Sequence, residues 1–229
     1  ELAHPLVVRR MVSFAEAVFE GSCSVEGLVG RLANGIEETR AILSAGEVAV
    51  LVDPMAECVD HFDPVAIVDG RILKREVPDE FKPRKVIGLG PGFTVRENCW
   101  VAIETQRGQN LGKILTSGST EADTGIPAAF MGYSRERVLY SPHGGVFKNL
   151  VRIGDLVEAG QAVAEINGEP IRSQIRGVAR GLLRDGLEVG ANVKVGDIDP
   201  TCEREVCFRI SDKARKIGSA VVEALSQIE

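Results

Sequence analysis

Val86-Ile87-Gly88-Leu89-Gly90-Pro91-Gly92-Phe93 runs an apolar pair straight into three glycines at alternate positions. Such a stretch reads as a buried strand ending in a loop whose backbone comes close to another group. Lacking a Cβ, glycine tolerates positive φ, so successive N–H groups can turn inward and cup an anion. Pro91 has no N–H to give, which leaves Gly90, Gly92 and Phe93 as the donors. The spacing is not that of the dinucleotide fingerprint G-x-G-x-x-G, whose third glycine would fall at Phe93. No Gly-Lys-Ser/Thr follows to make a Walker A loop. A tight glycine turn that binds nothing is the plain alternative, and the neighbouring strands bear on the choice.

Three further apolar runs read as strands buried on both faces. Val48 to Val52 ends at Asp53-Pro54, Val65 to Val68 ends at Asp69-Gly70-Arg71, and Cys99 to Ile103 ends at Glu104. Helical patterns lie before and between them. Ser13 to Phe19 is one. Ser24 caps a second, with Val25, Leu28, Val29 and Leu32 at i, i+3, i+4 and i+7. Glu37 to Ser44 is a third, stopped at Gly46, and Met55 to Phe62 a short fourth. The Leu73–Arg84 connection contains Pro78 and Pro83 and reads as loop. Helices between continuous apolar strands predict an α/β fold with a mostly parallel, Rossmann-like sheet.

Ligands of open α/β sheets lie outside the carboxyl ends of the strands. In a parallel sheet Asp53, Asp69, the Gly88–Gly92 loop and Glu104 would share that edge. Arg71, Lys74 and Arg75 follow Asp69, and Arg107-Gly108 follow Glu104. The edge would then join carboxylates, cations and an N–H nest. The candidate ligand-binding set is Asp53, Asp69, Lys74, Gly88, Gly90, Gly92, Glu104, Arg107 and Gly108, suited to a nucleotide- or pterin-type anion. Taken singly, each carboxylate could equally be a helix cap.

Residues 138–199 differ in character and repeat internally. Gly145-Val146-Phe147 followed by Val157, Gly160 and Val163 is echoed by Gly177-Val178-Ala179 followed by Leu187, Gly190 and Val193, with Asn167-Gly168 as a hairpin turn at the junction. The phrase IGDLVEAGQAVAEI resembles the half-motif of biotinyl/lipoyl carrier domains, which implies a small all-β barrel-sandwich hybrid. Carriers attach their cofactor to a lysine at the hairpin tip. The tip here, Ile166 to Ile175, has none, so covalent biotin or lipoate is excluded. From Ser211 a capped helix carries Ala214, Ile217, Val221, Ala224, Leu225 and Ile228 as an apolar stripe. The expected organisation is an α/β ligand-binding domain from 1–137 plus 200–229, with the β domain at 138–199 inserted.

A net charge of −6 without a lysine/arginine cluster argues against nucleic acid. No apolar run approaches the ~20 residues of a membrane span, and no signal-peptide pattern is visible. Five scattered cysteines suggest reduced thiols and a cytoplasmic protein. Cys202 and Cys207 are too loosely spaced for a zinc half-site. His4, His61 and His143 lie far apart, none at metal-ligand spacing with a cysteine or carboxylate, and no metal is expected.

The phrases VIGLGPGF, ETQRGQNLG, DTGIP, KVGDIDP and ISDKARKIG, in this order, resemble the accessory proteins of the selenium-dependent molybdenum hydroxylase system, the YqeB-type family. The resemblance runs from Val7 onward. It implies a maturation factor for hydroxylases that carry a molybdopterin cofactor and labile selenium. The implied partners are the apo-hydroxylase or other maturation factors, and a homo-oligomer stays open. By position it carries over Asp53, Asp69, Lys74, the three loop glycines, Glu104, Arg107, Gly108 and Gly196 to Pro200. It also implies a glycine-rich strand–turn, R-G-A-G-D, ahead of residue 1, with Glu1 at the ribose-binding acid position. Gln109 stands where the family pattern has histidine, so no role requiring an imidazole there carries over. Two alternatives remain: a nucleotide-dependent enzyme that modifies the molybdenum cofactor, with Cys99 as the thiol nearest the loop, or an adaptor without a small ligand.

Overall fold

The computed structural model describes residues 1–81 and 84–228, so the expected loop residue Pro83 lies outside the described residues. The chain divides into two compact units, Glu1–His61 with Ala129–Arg209, and Phe62–Ala128 with Ile210–Glu229.

The first unit opens with a short helix α1 (Ala17–Glu20), then strands β1 (Ser22–Val25) and β2 (Leu28–Leu32), helix α2 (Ile36–Ser44) and strand β3 (Val48–Val50). β1 and β2 pair antiparallel, and β3 adds parallel to β2. The helix expected from Ser24 to Leu32 is therefore a hairpin. Its two-residue turn is Glu26-Gly27, both at positive φ (48° and 89°). Two consecutive left-handed residues match the right-handed strand twist, which a helix could not accommodate. α2 ends as expected, with Gly46 at φ 76°. Of the stretch Met55 to Phe62 only one turn, α3 (Val59–Phe62), is α-helical.

The second unit is built on β4 (Ile67–Asp69), β5 (Val86–Leu89), β6 (Val101–Ile103) and β7 (Ile114–Leu115), in the spatial order β4-β5-β6-β7. The first three run parallel and β7 antiparallel. Helix α4 (Asp212–Leu225) starts where Ser211 Oγ accepts the N–H of Ala214 at 3.1 Å. Its stripe buries Ala220 and Ala224, with Ile217 and Val221, against Ile87, Val101 and Ile103. The opposite sheet face is covered by Val77, Phe93, Val95 and Cys99 packed on Val86 and Ala102.

The rest of the first unit is all β: β8 (Val138–Tyr140), β9 (Gly145–Asn149), β10 (Leu156–Val157), β11 (Ala162–Ile166), β12 (Glu169–Arg172), β13 (Gly177–Leu182), β14 (Glu188–Val189) and β15 (Lys194–Asp199). They form two four-stranded antiparallel sheets, β10-β13-β15-β8 and β12-β11-β9-β14. The sequence repeat places β9 in one sheet and β13 in the other. One core joins them, with Phe147, Val163, Leu182, Val195 and Ile198 closed to solvent. Each such side chain contributes about 1.5–3 kcal/mol of burial. Asn167-Gly168, at φ 51° and 87°, turns β11 into β12.

The expected fold class is overturned. Among the strands of the described residues parallel pairing is confined to β2–β3 and to β4–β5–β6, in two separate sheets, and these do not make a single Rossmann-like sheet. The one helical crossover between parallel neighbours is α2, among the described residues. Among the described residues the β4–β5 and β5–β6 connections hold no helix, and helices are too few to cover two faces of a doubly wound sheet. Nor do residues 138–199 close into a barrel: they remain two open sheets over a shared core. Among the described residues no helix is long and apolar enough to cross a membrane.

Candidate functional site

Because β4, β5 and β6 run parallel with Asp69 opposite Gly88 and Leu89 opposite Ile103, Asp69, the glycine loop and Glu104 leave the sheet at one edge. The loops meet at Gly90, whose position faces Thr105 Oγ1 and Ile72. Lys74 and Arg107 each follow two residues beyond those contacts.

Both carboxylates on this edge are buried and fully occupied by the protein. Asp69, 5% exposed, accepts the Arg71 N–H at 3.1 Å and a two-pronged guanidinium contact from Nε (3.0 Å) and Nη2 (2.7 Å). Hydrogen bonding to Asp69 holds the Arg71 guanidinium above its usual range. Glu104, 2% exposed, accepts the N–H groups of Thr105, Gln106 and Glu121, each at 2.7 Å. It is a knot between two loops, made of charge-assisted bonds.

The glycines are also accounted for by protein. A Cβ on Gly88 would stand 2.3 Å from the Phe93 ring, which folds back beneath the strand and is 1% exposed. Gly92, at φ 97°, brings its Cα face against the Arg75 carbonyl oxygen, which a Cβ would meet at 1.8 Å. The Gly90 N–H donates to the Ile103 carbonyl, and the Gly92 carbonyl accepts from Val77 N–H and Asn98 Nδ2. The loop is thus pinned to its own surroundings.

The cations are held differently. Lys74 is 58% exposed along its side chain and lies 3.5 Å from Asp123. Arg107 makes two 2.8 Å bonds to Asp212, at the start of α4, and both groups stand in solvent. Gly108, at φ 150°, faces open space. A long surface pair like that of Lys74 is worth about 0–1 kcal/mol, so this cation can exchange its partner at small cost, whereas the two-pronged pair of Arg107 is the firmer of the two.

Asp53 belongs to the first unit. It caps the turn after β3, accepting the N–H of Glu57 at 3.0 Å and of Cys58 at 2.8 Å. Burial pushes its carboxyl up, but hydrogen bonds from Cys58 and Glu57 outweigh this and hold it below the ordinary value. It borders a cleft of about 410 Å³ at the carboxyl ends of β2 and β3, lined also by Asn34, Gly35 and Ile36 at the start of α2 and by Cys58 and His61. Reading Val25–Leu32 as a helix hid this β-α-β crossover. The Asn34-Gly35 break after an apolar run was the available signal. Cys99 is buried, and burial, with Asp79 adding to it, pushes its thiol up to about 11. That is the opposite of a thiol poised for transfer chemistry.

No family model matches the chain. It is 40% identical over all 229 residues to the uncharacterized protein YqeB of Escherichia coli (strain K12), and it spans 42% of that protein's length. The match extends over the whole of this chain. Among solved structures, an aspartoacylase family protein from Mesorhizobium loti is 22% identical, with a TM-score of 0.27 over 37% of this chain and 27% of that one. A succinylglutamate desuccinylase from Silicibacter is 17% identical, with a TM-score of 0.25 over 58% of this chain and 51% of that one. Likeness at these scores carries no argument about chemistry.

Proposed function

We propose that the chain is part of a maturation factor for selenium-dependent molybdenum hydroxylases, and that the second unit holds a nucleotide- or pterin-type anion at the carboxyl edge of β4, β5 and β6. One observation carries the reading. The edge carboxylates Asp69 and Glu104 are already satisfied within the fold, while the cations Lys74 and Arg107 reach solvent, paired with carboxylates at the surface. An incoming anion can take over both cations without leaving a buried group unpaired. The resemblance carried by the phrases quoted above supports the maturation role. A cytoplasmic site of action and the apo-hydroxylase as partner belong to the same proposal.

The test replaces the cell's own copy with Lys74→Gln/Arg107→Gln protein and measures hydroxylase activity. Activity at least tenfold lower, with an unchanged circular dichroism spectrum, is the expected result. Full activity from the double variant would remove the edge from the account.

A further inference from the structure

A second charged region lies in the first unit, on the face of the β10-β13-β15-β8 sheet turned away from its core. Arg180, Asp197 and Asp199 alternate along β13 and β15 with the core residues Ala179 and Ile198. Arg137 enters from the start of β8, and Lys194 from the start of β15. Arg9 reaches the same place because Val8-Arg9 lies flat on Gly181, where a Cβ would meet the Val8 carbonyl oxygen at 2.6 Å. Arg180 sits at a register shift between β13 and β15, a bulge that re-aims its side chain.

Arg9 Nη2 donates to the carbonyls of Val206 and Arg209 at 3.0 Å and Asp199 accepts from Thr201, but the ion pairs within the cluster are long. Arg137 Nη1 and Arg180 Nη1 each stand 3.5 Å from an Asp197 oxygen, and Arg180 Nε stands 3.7 Å from Asp199. Such separations exceed good hydrogen-bond geometry. Arg9 Nε, Arg180 Nε and Asp197 Oδ1 are closed to solvent and make no hydrogen bond. The Arg180 side chain is 18% exposed and that of Asp197 7%. Lys194 is exposed at the rim, within charge range of Asp197 and all three guanidiniums. Burial and the neighbouring Arg180 push the Arg9 guanidinium down to about 10, with Asp197 and Asp199 opposing. Four cations against two carboxylates leave an excess of two positive charges in a partly closed site, a costly arrangement unless an anion completes it.

We propose that this face binds a phosphoryl group between the guanidiniums of Arg9, Arg137 and Arg180, with Lys194 at the rim and Asp197 and Asp199 holding the guanidiniums in place. A doubly charged oxyanion brings the cluster to neutrality. Guanidinium forks match its oxygens, and the shielded Nε donors gain acceptors. The site lies in a different unit from the sheet edge above and does not depend on that reading.

Thermal unfolding of the full chain tests it, with inorganic phosphate, and separately adenosine 5′-monophosphate, against sodium chloride of matched ionic strength. Phosphate at a hundredfold its Kd should raise the midpoint by roughly 5–10 °C. In the Lys74→Gln/Arg107→Gln chain, where the sheet edge no longer contributes, equal shifts with the two probes mean that the free ion suffices, and a larger one with the nucleotide means that the group arrives on a carrier. Arg180→Gln should abolish the shift. Lys194→Gln, an exposed change that spares folding, should weaken phosphate binding about tenfold in calorimetry, the loss of one charged contact. The Lys74→Gln/Arg107→Gln chain should keep the full shift. A phosphate effect no larger than that of chloride would overturn the proposal. So would one that survives Lys194→Gln undiminished, or one lost in the Lys74/Arg107 variant.

Discussion

Buried carboxylates are held in opposite ways in the two units. Glu104 of the second unit takes three backbone N–H groups at 2.7 Å, and Asp69 takes a guanidinium fork. Asp197 of the first unit meets its arginines only at 3.5 Å and leaves one oxygen without a hydrogen bond. Short, saturated bonds mark a carboxylate that serves the fold. Long, unsaturated ones mark a cluster that lacks a component. Burial and charge alone would rank the two alike; the hydrogen-bond count separates them.

The largest effect that would break this comparison is on Glu104. Glu104→Ala takes the charged acceptor from three N–H groups, that of Thr105 buried and those of Gln106 and Glu121 partly so, and urea unfolding should show a loss of about 3–5 kcal/mol with an unchanged m-value. A loss below about 1 kcal/mol would mean that the knot is not structural.

Gly92→Ala comes next. It forces a Cβ onto the Arg75 carbonyl at positive φ, and the expected cost is about 2–4 kcal/mol. Stability unchanged with ligand retention lost would instead assign the loop glycines to the ligand.

Asp53 sharpens the middle of the scale. Its carboxyl lies below the ordinary 3.8, so its contribution is complete above that pH and is lost as acid protonates the folded chain. Asp53→Asn keeps one acceptor oxygen of two and should therefore cost about 1 kcal/mol at pH 6, the worth of one lost hydrogen bond. The gap to the parent should narrow as the pH falls below about 4. A gap that stays constant with pH would remove the charge from the explanation.

Much of the second unit was legible in sequence. Continuous apolar runs ending at Asp69, Gly88 and Glu104 are β4, β5 and β6, and Ser211 caps α4 as its position predicts. Asn167-Gly168 marked its hairpin. Local chemistry decides such features, so local residues reveal them. Val25, Leu28, Val29 and Leu32 fit a helical face and misled, because two left-handed turn residues at Glu26-Gly27 outweigh that periodicity. The glycine loop was found for its spacing, but its tight packing against Phe93 and Arg75 depends on residues that fold back onto it. The Arg9, Arg137 and Arg180 cluster was not legible at all. Its members come from distant parts of the chain, and a strand bulge that no local pattern announces sets the position of Arg180.

The anion at the sheet edge is tested most directly by native mass spectrometry of the protein purified from cells supplied with molybdate and selenite, beside the Lys74→Gln/Arg107→Gln variant. The account predicts a retained mass matching a pterin or nucleotide on the parent protein and its loss from the variant. A ligand-free parent, or a ligand retained equally by both, would contradict it.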